Sequence, residues 1–294
     1  MLLFLVLLAL GSPSATMTDA PRYRAEIEKW RADRVRRLTA EDGWLSVVGL
    51  SWLEEGDNSV GSAPSARVAL PSGRTPARLG AIRLARGSAS FTAAPGVSVT
   101  HGGKPVRTIA LASDADGEPT ILQHGTVSFY AIRRGDRLGI RVKDSAAPAR
   151  REFQGIDGYA IDPKWRVAAR FEPYNPKKSI PIPNILGNVT QEPSPGAVVF
   201  SIGGREYRLD AVEEEGEEDL FLIFGDRTNG TATYGAGRFL YAPRPGPDGK
   251  TFVDFNKAYN PPCAFTAYAT CPLPPPQNRL PVAVTAGEKR YGEH

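Results

Sequence analysis

The chain has 294 residues, 41% of them hydrophobic and 23% charged, which describes a globular protein with room for two domains. Its net charge of +4 is modest and sits largely in one segment, "RYRAEIEKWRADRVRR". With no RNA-binding signature and no zinc-finger spacing beside it, nucleic acid is not an expected partner. The 30 glycines and 26 prolines are spread along the chain, so turns are frequent, elements short and β architecture favoured.

The first element is the apolar run Leu2 to Leu10, too short to cross a bilayer but suited to the core of a signal peptide. Ser12, Ser14 and Ala15 offer small residues for cleavage. Against export, no Lys or Arg precedes the run, and Met17 offers an alternative start. Residues 1–18 are therefore read as a signal peptide, with an extracytoplasmic protein if residues 1–15 are one and a cytoplasmic protein from Met17 if not. No cysteine near the cleavage region would take a lipid, and no transmembrane segment is expected.

A basic amphipathic helix is predicted over 19–42. Asp19 and Pro21 suit its start, Tyr23, Ile27, Trp30 and Leu38 recur at near-helical spacing, and Gly43 follows its end. Its apolar stripe is narrow, so it is expected to dock on the body with its arginines solvated. The competing reading is attachment to anionic lipid, which deletion of residues 21–39 separates from a core role.

From 43 to 150 short strands recur between turns: "SARVAL", "AIRLA", "ASFTA", "VSVTH", "TVSFYAIRRG" and "RLGIRVKD". This spacing predicts a β-sandwich. The phrase order "EEGDNSVGS", "ARVALP", "ARLGAIRL", "VSVTHGGKPV" and "LQHGTVSFYAI" resembles a forkhead-associated domain. That family binds phosphothreonine peptides through an arginine after its first glycine and a serine before the next strand. Here Ser62 follows Gly61, the stretch Pro76 to Arg78 has no serine, and His101-Gly102-Gly103 stands where an Asn-Gly turn would be. Without the guanidinium, phosphate recognition loses its main charge-assisted donor, so the resemblance implies a fold and no phosphopeptide binding. A protein partner at the sandwich loops stays open.

Residues 151–294 begin with a proline-rich run at Asn175 to Pro183 and continue as "AVVFSI", "REYRLDAV", "LFLIFGD", "TATYGAGRFLY" and "KTFVDFN". Asn229-Gly230 and "RPGPDGK" mark turns between them. The pattern predicts an antiparallel barrel or curved sheet. The acidic run Glu213 to Asp219 is read as a solvated hairpin tip, because adjacent carboxylates in a turn rarely converge on an ion.

The chemistry is bounded by what is missing. The chain has three histidines, His101, His124 and His294, and none accompanies a nucleophile in the second half. It has no Gly-x-Ser-x-Gly elbow, Walker loop or dinucleotide fingerprint. Cys263 and Cys271 lack a histidine pair and make a poor zinc site, so no metal or cofactor is expected. Both lie in a segment of about 20 residues built from prolines and aromatics without glycine. Its prolines restrict the unfolded chain and Phe265 and Tyr268 supply apolar area, so it is read as a stiff cap over one end of the barrel.

"TYGAGRFLY", "DFNKAYNPPCAFTAYATCPLPPPQNRLPVAVTAGEK" and the earlier "DGWLSVVGLSWLEEGDNSVGS" together resemble the bacterial and archaeal domain-of-unknown-function family 1684 (DUF1684). The resemblance brings no established activity and implies a shared site in the polar, proline-rich segment.

Read physically, side chains alternate along "FVDFNKAY", and folding "TYGAGRFLY" onto it brings Arg238 to Asp254 and Tyr234 toward Asn256 or Lys257. Gly235 and Gly237 would leave a hollow beside that ion pair. The predicted site is a pocket at the capped end for a small polar or anionic ligand, formed by Tyr234, Arg238, Asn256, Tyr259 and Asn260. Asp254 is its candidate general base, and metal-independent hydrolysis is one outcome. The bland alternative is a structural ion pair on the barrel wall, within a non-catalytic scaffold that uses the sandwich for interactions. Cys263 and Cys271 admit three readings: a disulfide, buried thiols, or one reactive thiolate. Glu288 and Lys289 end the last strand within reach of the same rim.

Overall fold

The computed structural model describes residues 20–214 and 216–292. The export reading rests on residues outside this range. Among the described residues the fold is all-β apart from one long helix near the N-terminus and one short one: a two-sheet sandwich is followed by a curved antiparallel sheet with a separate hairpin.

Helix α1 (Ala20–Thr39) puts Tyr23, Ile27, Arg34 and Leu38 on its buried stripe. Lys29–Asp33 at 2.9 Å and Arg36–Asp33 at 2.6 Å tie its outer face, and Arg36 and Arg37 oppose the dipole at its C-terminal end. Gly43 ends it because the chain doubles back tightly: a Cβ there would lie 2.4 Å from the Leu38 carbonyl oxygen. The helix docks mainly on the second half of the chain, as shown by Tyr23 to Asp254 at 2.8 Å and Arg31 to the Tyr159 carbonyl at 2.8 Å. Among the described residues no helix is long and apolar enough to cross a membrane.

The sandwich is built from β1 (Val47–Trp52), β2 (Gly56–Gly61), β3 (Val68–Ala69), β4 (Gly80–Ala85), β5 (Ser88–Ala93), β6 (Thr100–His101), β7 (Lys104–Pro105), β8 (Thr108–Leu111), β9 (Leu122–His124), β10 (Val127–Arg134) and β11 (Arg137–Asp144). One sheet runs β1-β11-β10-β9-β6-β7 and the other β3-β2-β4-β5-β8. Alternation places Ile82, Phe91, Phe129, Ile140 and Val142 inside, with the Phe91 and Phe129 rings meeting edge-on at 5.6 Å between the sheets. A short helix, α2 (Pro148–Arg151), leads out.

The second half is a four-stranded antiparallel sheet in the order β14-β13-β12-β17, with β12 (Arg166–Pro183), β13 (Val189–Ile202), β14 (Arg205–Asp210) and β17 (Lys250–Asp254). A separate hairpin pairs β15 (Leu220–Phe224) with β16 (Arg238–Ala242). The long strands β12 and β13 bend at a register shift between Pro173 and Lys178, where the Asn175–Pro176 bond is cis. The bend sends the Ile180 and Ile182 end over the hairpin, against Phe221, Ile223 and Phe239. Phe255 fills the space between sheet and hairpin, with Trp165, Phe200 and Phe224 rings 5.5–6.0 Å away. Burying each such ring contributes about 1.5–3 kcal/mol.

Irregular segments close what the strands leave open. Tyr259 exchanges both backbone hydrogen bonds with Phe239 at 2.9 Å. Asn278, wholly buried, accepts from Asp210 N at 2.8 Å and donates to the carbonyls of Asp210 and Ile223, joining β14 to β15. In the proline-rich segment Ala269 and Cys271 pack with Ile182, Phe221 and Phe239. The segment touches the sandwich through Thr266 Oγ1 to the Val47 carbonyl at 3.1 Å and through Arg134 Nε to Thr270 Oγ1 at 2.9 Å.

The expected hairpin between "TYGAGRFLY" and "KTFVDFN" does not form. Arg238 pairs across from Phe224, and Asp254 across from Arg166, because residues 243–249 carry the chain from one sheet to the other. Asn229-Gly230 lies inside a longer loop joining β15 to β16, not in a two-residue turn.

Candidate functional site

Asp254 ends β17 and caps the 3-10 turn Phe255–Lys257. Its Oδ1 accepts from the Tyr23 hydroxyl at 2.8 Å, Asn256 N at 3.1 Å and Asn256 Nδ2 at 3.2 Å. Its Oδ2 is buried and meets no hydrogen-bond partner among the described residues, although the residue is only 2% exposed. Burial raises the carboxyl pKa, against the lowering effect of the Tyr23 and Asn256 hydrogen bonds and of Lys257. The same burial, followed by the Asp254 charge, pushes the Tyr23 phenol well up and keeps it a donor.

Asp254 lines a cavity of about 480 Å³ roofed by α1, a volume in the range of small-molecule sites. From α1 come Trp30, Arg34 and Arg37, and from the turn after β17 comes Lys257. Glu217 and Asp219 also line it, so the acidic run contributes to a cavity in addition to its solvated tip. The remaining walls are Phe252, Tyr241, Tyr259 and Pro243. The Tyr241 and Tyr259 rings stack at 6.3 Å, Trp30 lies 6.2 Å from Tyr259, and the Tyr241 hydroxyl donates to Glu214. Lys257 pairs with Glu26 at 2.6 Å, whereas Arg37 is exposed and meets no carboxylate among the described residues.

Arg34 shows how the helix is held over this space. Its Nε donates to Glu288 Oε1 at 3.1 Å, its Nη2 to the Asn260 carbonyl at 2.8 Å, and its plane lies 4.7 Å from the Tyr259 ring centre. Glu288 Oε2 in turn accepts from Asn260 N at 2.7 Å. Burial raises the Glu288 pKa, opposed by Arg34 and the Asn260 hydrogen bond.

Of the six residues expected to form the site, Asp254 and Tyr259 reach the cavity. Asn256 is completely buried behind Asp254, spending Oδ1 on Asp162 N at 3.1 Å and Nδ2 on Tyr23, Asp162 and Asp254, and therefore positions the carboxylate. Asn260 sits behind Glu288, with Nδ2 on the Lys289 carbonyl at 2.8 Å.

The expected Arg238–Asp254 pair is corrected. Arg238 is wholly buried, pairs with Asp226 at 2.8 Å, and donates to the carbonyls of Val284, Ala286 and Glu288, so it clamps the C-terminal segment. Tyr234 lies beside the two cysteines instead, and burial pushes its pKa up to about 12. Nor do the glycines leave a hollow. Gly237, at φ +97°, lies where a Cβ would sit 2.4 Å from Pro274 Cγ, so the cap fills that space.

Cys263 and Cys271 are separate thiols, each accepting the other's backbone N–H, at 3.3 and 3.1 Å respectively. In the sandwich, Ser62 donates to the Thr75 carbonyl at 2.9 Å, and the His101 and His124 rings meet the carbonyls of Ile121 and Ser98.

Residue reading alone missed Tyr23, Trp30, Arg34, Arg37, Tyr241 and Lys257 as site residues. A signal for Arg34 was present: it falls between Trp30 and Leu38 on the apolar stripe, where a solvated arginine has no reason to be.

A family model described as "Protein of unknown function (DUF1684)" matches residues 151–289, which carry every cavity element except α1 and the residues on it. A solution structure of an uncharacterised protein from Haloarcula marismortui is 32% identical, covering 50% of this chain and 83% of that one, with a TM-score of 0.42. Two forkhead-associated domain structures, one concerned with phosphothreonine-dependent interactions and one of FhaA, are each 22% identical over 32% of this chain. They cover 92% and 97% of those chains, at a TM-score of 0.23. No curated protein matches the sequence. The chain belongs to the DUF1684 family.

Proposed function

We propose that the cavity beneath α1 binds a small polar ligand that donates a hydrogen bond to Asp254 Oδ2 and presents an anionic group to Arg37. The observation that carries this reading is the lone buried Oδ2, held in place by three hydrogen bonds to the other oxygen yet left without a donor of its own. Leaving a buried acceptor unmade costs about 1–3 kcal/mol, more for a charged one, and a ligand donor removes that cost. The aromatic walls give a flat ligand surface to lie on, and a lining that carries both basic and acidic side chains suits a zwitterion such as an amino acid or dipeptide. A filled, solvent-facing barrel end would have favoured a purely interacting scaffold; a hollow with a buried carboxylate supports binding.

Catalysis is the stronger form of the same proposal. A carboxyl whose pKa is raised by burial and which lines a cavity is equipped to act as general base toward water on a bound ester or amide. Export, resting on residues 1–15, is likewise proposed; the mass of the mature natively expressed chain tests it.

The test is a thermal-shift screen of the full chain against amino acids, dipeptides and inorganic phosphate, repeated with Asp254→Asn and Arg37→Ala. A ligand at about 100 times its Kd should stabilise by about 2.7 kcal/mol. The expected result is stabilisation by a zwitterion that both substitutions abolish. Stabilisation that survives Asp254→Asn would reject the assignment.

A further inference from the structure

A second cluster lies in the cap, at its contact with the sandwich and apart from the cavity. Cys263 begins, and Cys271 ends, the loop that carries Phe265, Thr266 and Thr270, and Thr266 and Thr270 are the residues bonded to the sandwich. The two thiols face each other through their reciprocal N–H···S hydrogen bonds at 3.1 and 3.3 Å. Cys263 is half-buried and Cys271 is 6% exposed.

The second, independent observation is Arg141 on β11. It is 4% exposed, its guanidinium lies 5.0 Å from the Trp44 ring centre, and its Nε and Nη2 meet no acceptor among the described residues. A buried guanidinium without hydrogen bonds is costly and calls for an anion nearby.

We propose that Cys263 and Cys271 form a reactive dithiol, in which a Cys263 thiolate paired with the charge of Arg141 is oxidised by hydroperoxides and Cys271 resolves the product to a disulfide.

The supporting electrostatics agree in direction. The hydrogen bond with Cys271 holds the Cys263 thiol below the ordinary range with help from the Arg141 charge, while burial pushes Cys271 up. Cys263 is then the attacking sulfur and Cys271 the resolving one. Besides Arg141, the pair meets Tyr234 from the loop before β16, whose phenol pKa is raised by burial, so that it is uncharged at neutral pH.

In the first step the Cys263 sulfur attacks the outer peroxide oxygen. The S–O bond forms, the O–O bond breaks, and the alkoxide leaves as the alcohol after taking a proton. In the second, the Cys271 sulfur attacks Cys263, the S–S bond forms, and hydroxide leaves as water with the Cys271 proton. The dithiol loses two electrons and the hydroperoxide gains them. The product clamps the loop that contacts the sandwich.

The experiment uses the full reduced chain and cumene hydroperoxide as the probe. Equimolar peroxide should lower the intact mass by two hydrogens, reversibly with dithiothreitol. Cys271→Ser should instead stop at a sulfenic acid on Cys263 that dimedone traps. Iodoacetamide should label Cys263 about tenfold faster than Cys271 at neutral pH, and Arg141→Met should move the midpoint of that labelling to higher pH, with Arg141→Lys restoring it. Three results would overturn the proposal: thiols inert to peroxide in the native chain, a disulfide already present and resistant to reduction without unfolding, or a labelling profile indifferent to Arg141→Met. The peroxide and labelling results on the unsubstituted chain decide the matter even if a variant fails to fold.

Discussion

Replacing Asp254 by Asn should make the protein more stable and at the same time destroy its binding site. Oδ1 and its three donors, Tyr23 at 2.8 Å and the two Asn256 nitrogens at 3.1 and 3.2 Å, are retained by the amide oxygen. What changes is Oδ2, a buried oxygen of a charged group without a partner, which is replaced by a neutral NH2 whose buried donors cost less than the charge they replace. The cost of Oδ2 is about 1–3 kcal/mol, and the weaker neutral bonds at Oδ1 return roughly half of that. The net gain should be about 1 kcal/mol, or about 2–4 °C in Tm for a chain of this size. The sign with pH follows from the raised pKa. The folded state holds the Asp254 proton more tightly than the unfolded one, so the penalty is present above the folded-state pKa and disappears as pH falls toward the unfolded value of about 3.9. Urea unfolding at neutral pH and near pH 4 should therefore show a gain for the variant at neutral pH that shrinks in acid. A variant destabilised by more than about 1 kcal/mol at neutral pH would refute the reasoning, because Oδ2 would then have a favourable partner in the folded protein.

Further outcomes follow from the same geometry. Arg34→Ala leaves Glu288 buried without its partner and should cost about 3–5 kcal/mol, measured by urea unfolding. Glu288→Gln should cost less and should also flatten the pH dependence of stability, since burial raises the Glu288 pKa and its penalty too is lost on acidification. Deleting residues 21–39 removes Tyr23, Ile27 and Leu38 from the core and should yield an unfolded chain by circular dichroism; a folded product that merely leaves anionic vesicles would favour the membrane reading. Gly237→Ala forces a Cβ to 2.4 Å from Pro274 at φ +97° and should lower Tm by several degrees while leaving ligand contacts at Asp254 unchanged.

The helix, the sandwich and the curvature of the second sheet were legible because each follows from a local period: Tyr23, Ile27 and Leu38 at helical spacing, and Phe91 and Phe129 in alternating strands. Strand partnership was not, because alternation says which residues share a face and nothing about which strand lies alongside. "RPGPDGK" reads as a tight turn, yet here it crosses between sheets, so Arg238 and Asp254 end in separate networks. The contribution of α1 was hidden for another reason. Seven basic residues on one helix suggest a solvated face, and only tertiary partners such as Glu288 and the Asn260 carbonyl single out Arg34. Glu288 was expected to end a last strand within reach of the rim; residues 281–289 form no strand, and its role in anchoring the helix depends on a contact 254 residues away.

The central claim is that Asp254 Oδ2 is a ligand's acceptor. A high-resolution crystal structure of the full chain, soaked with the best zwitterion from the thermal-shift screen, tests it most directly. Ligand density is expected beneath α1 with a donor atom about 2.7–3.2 Å from Oδ2 and an anionic group at Arg37. A cavity holding only water, or a ligand bound elsewhere while Oδ2 stays unpartnered, would contradict it.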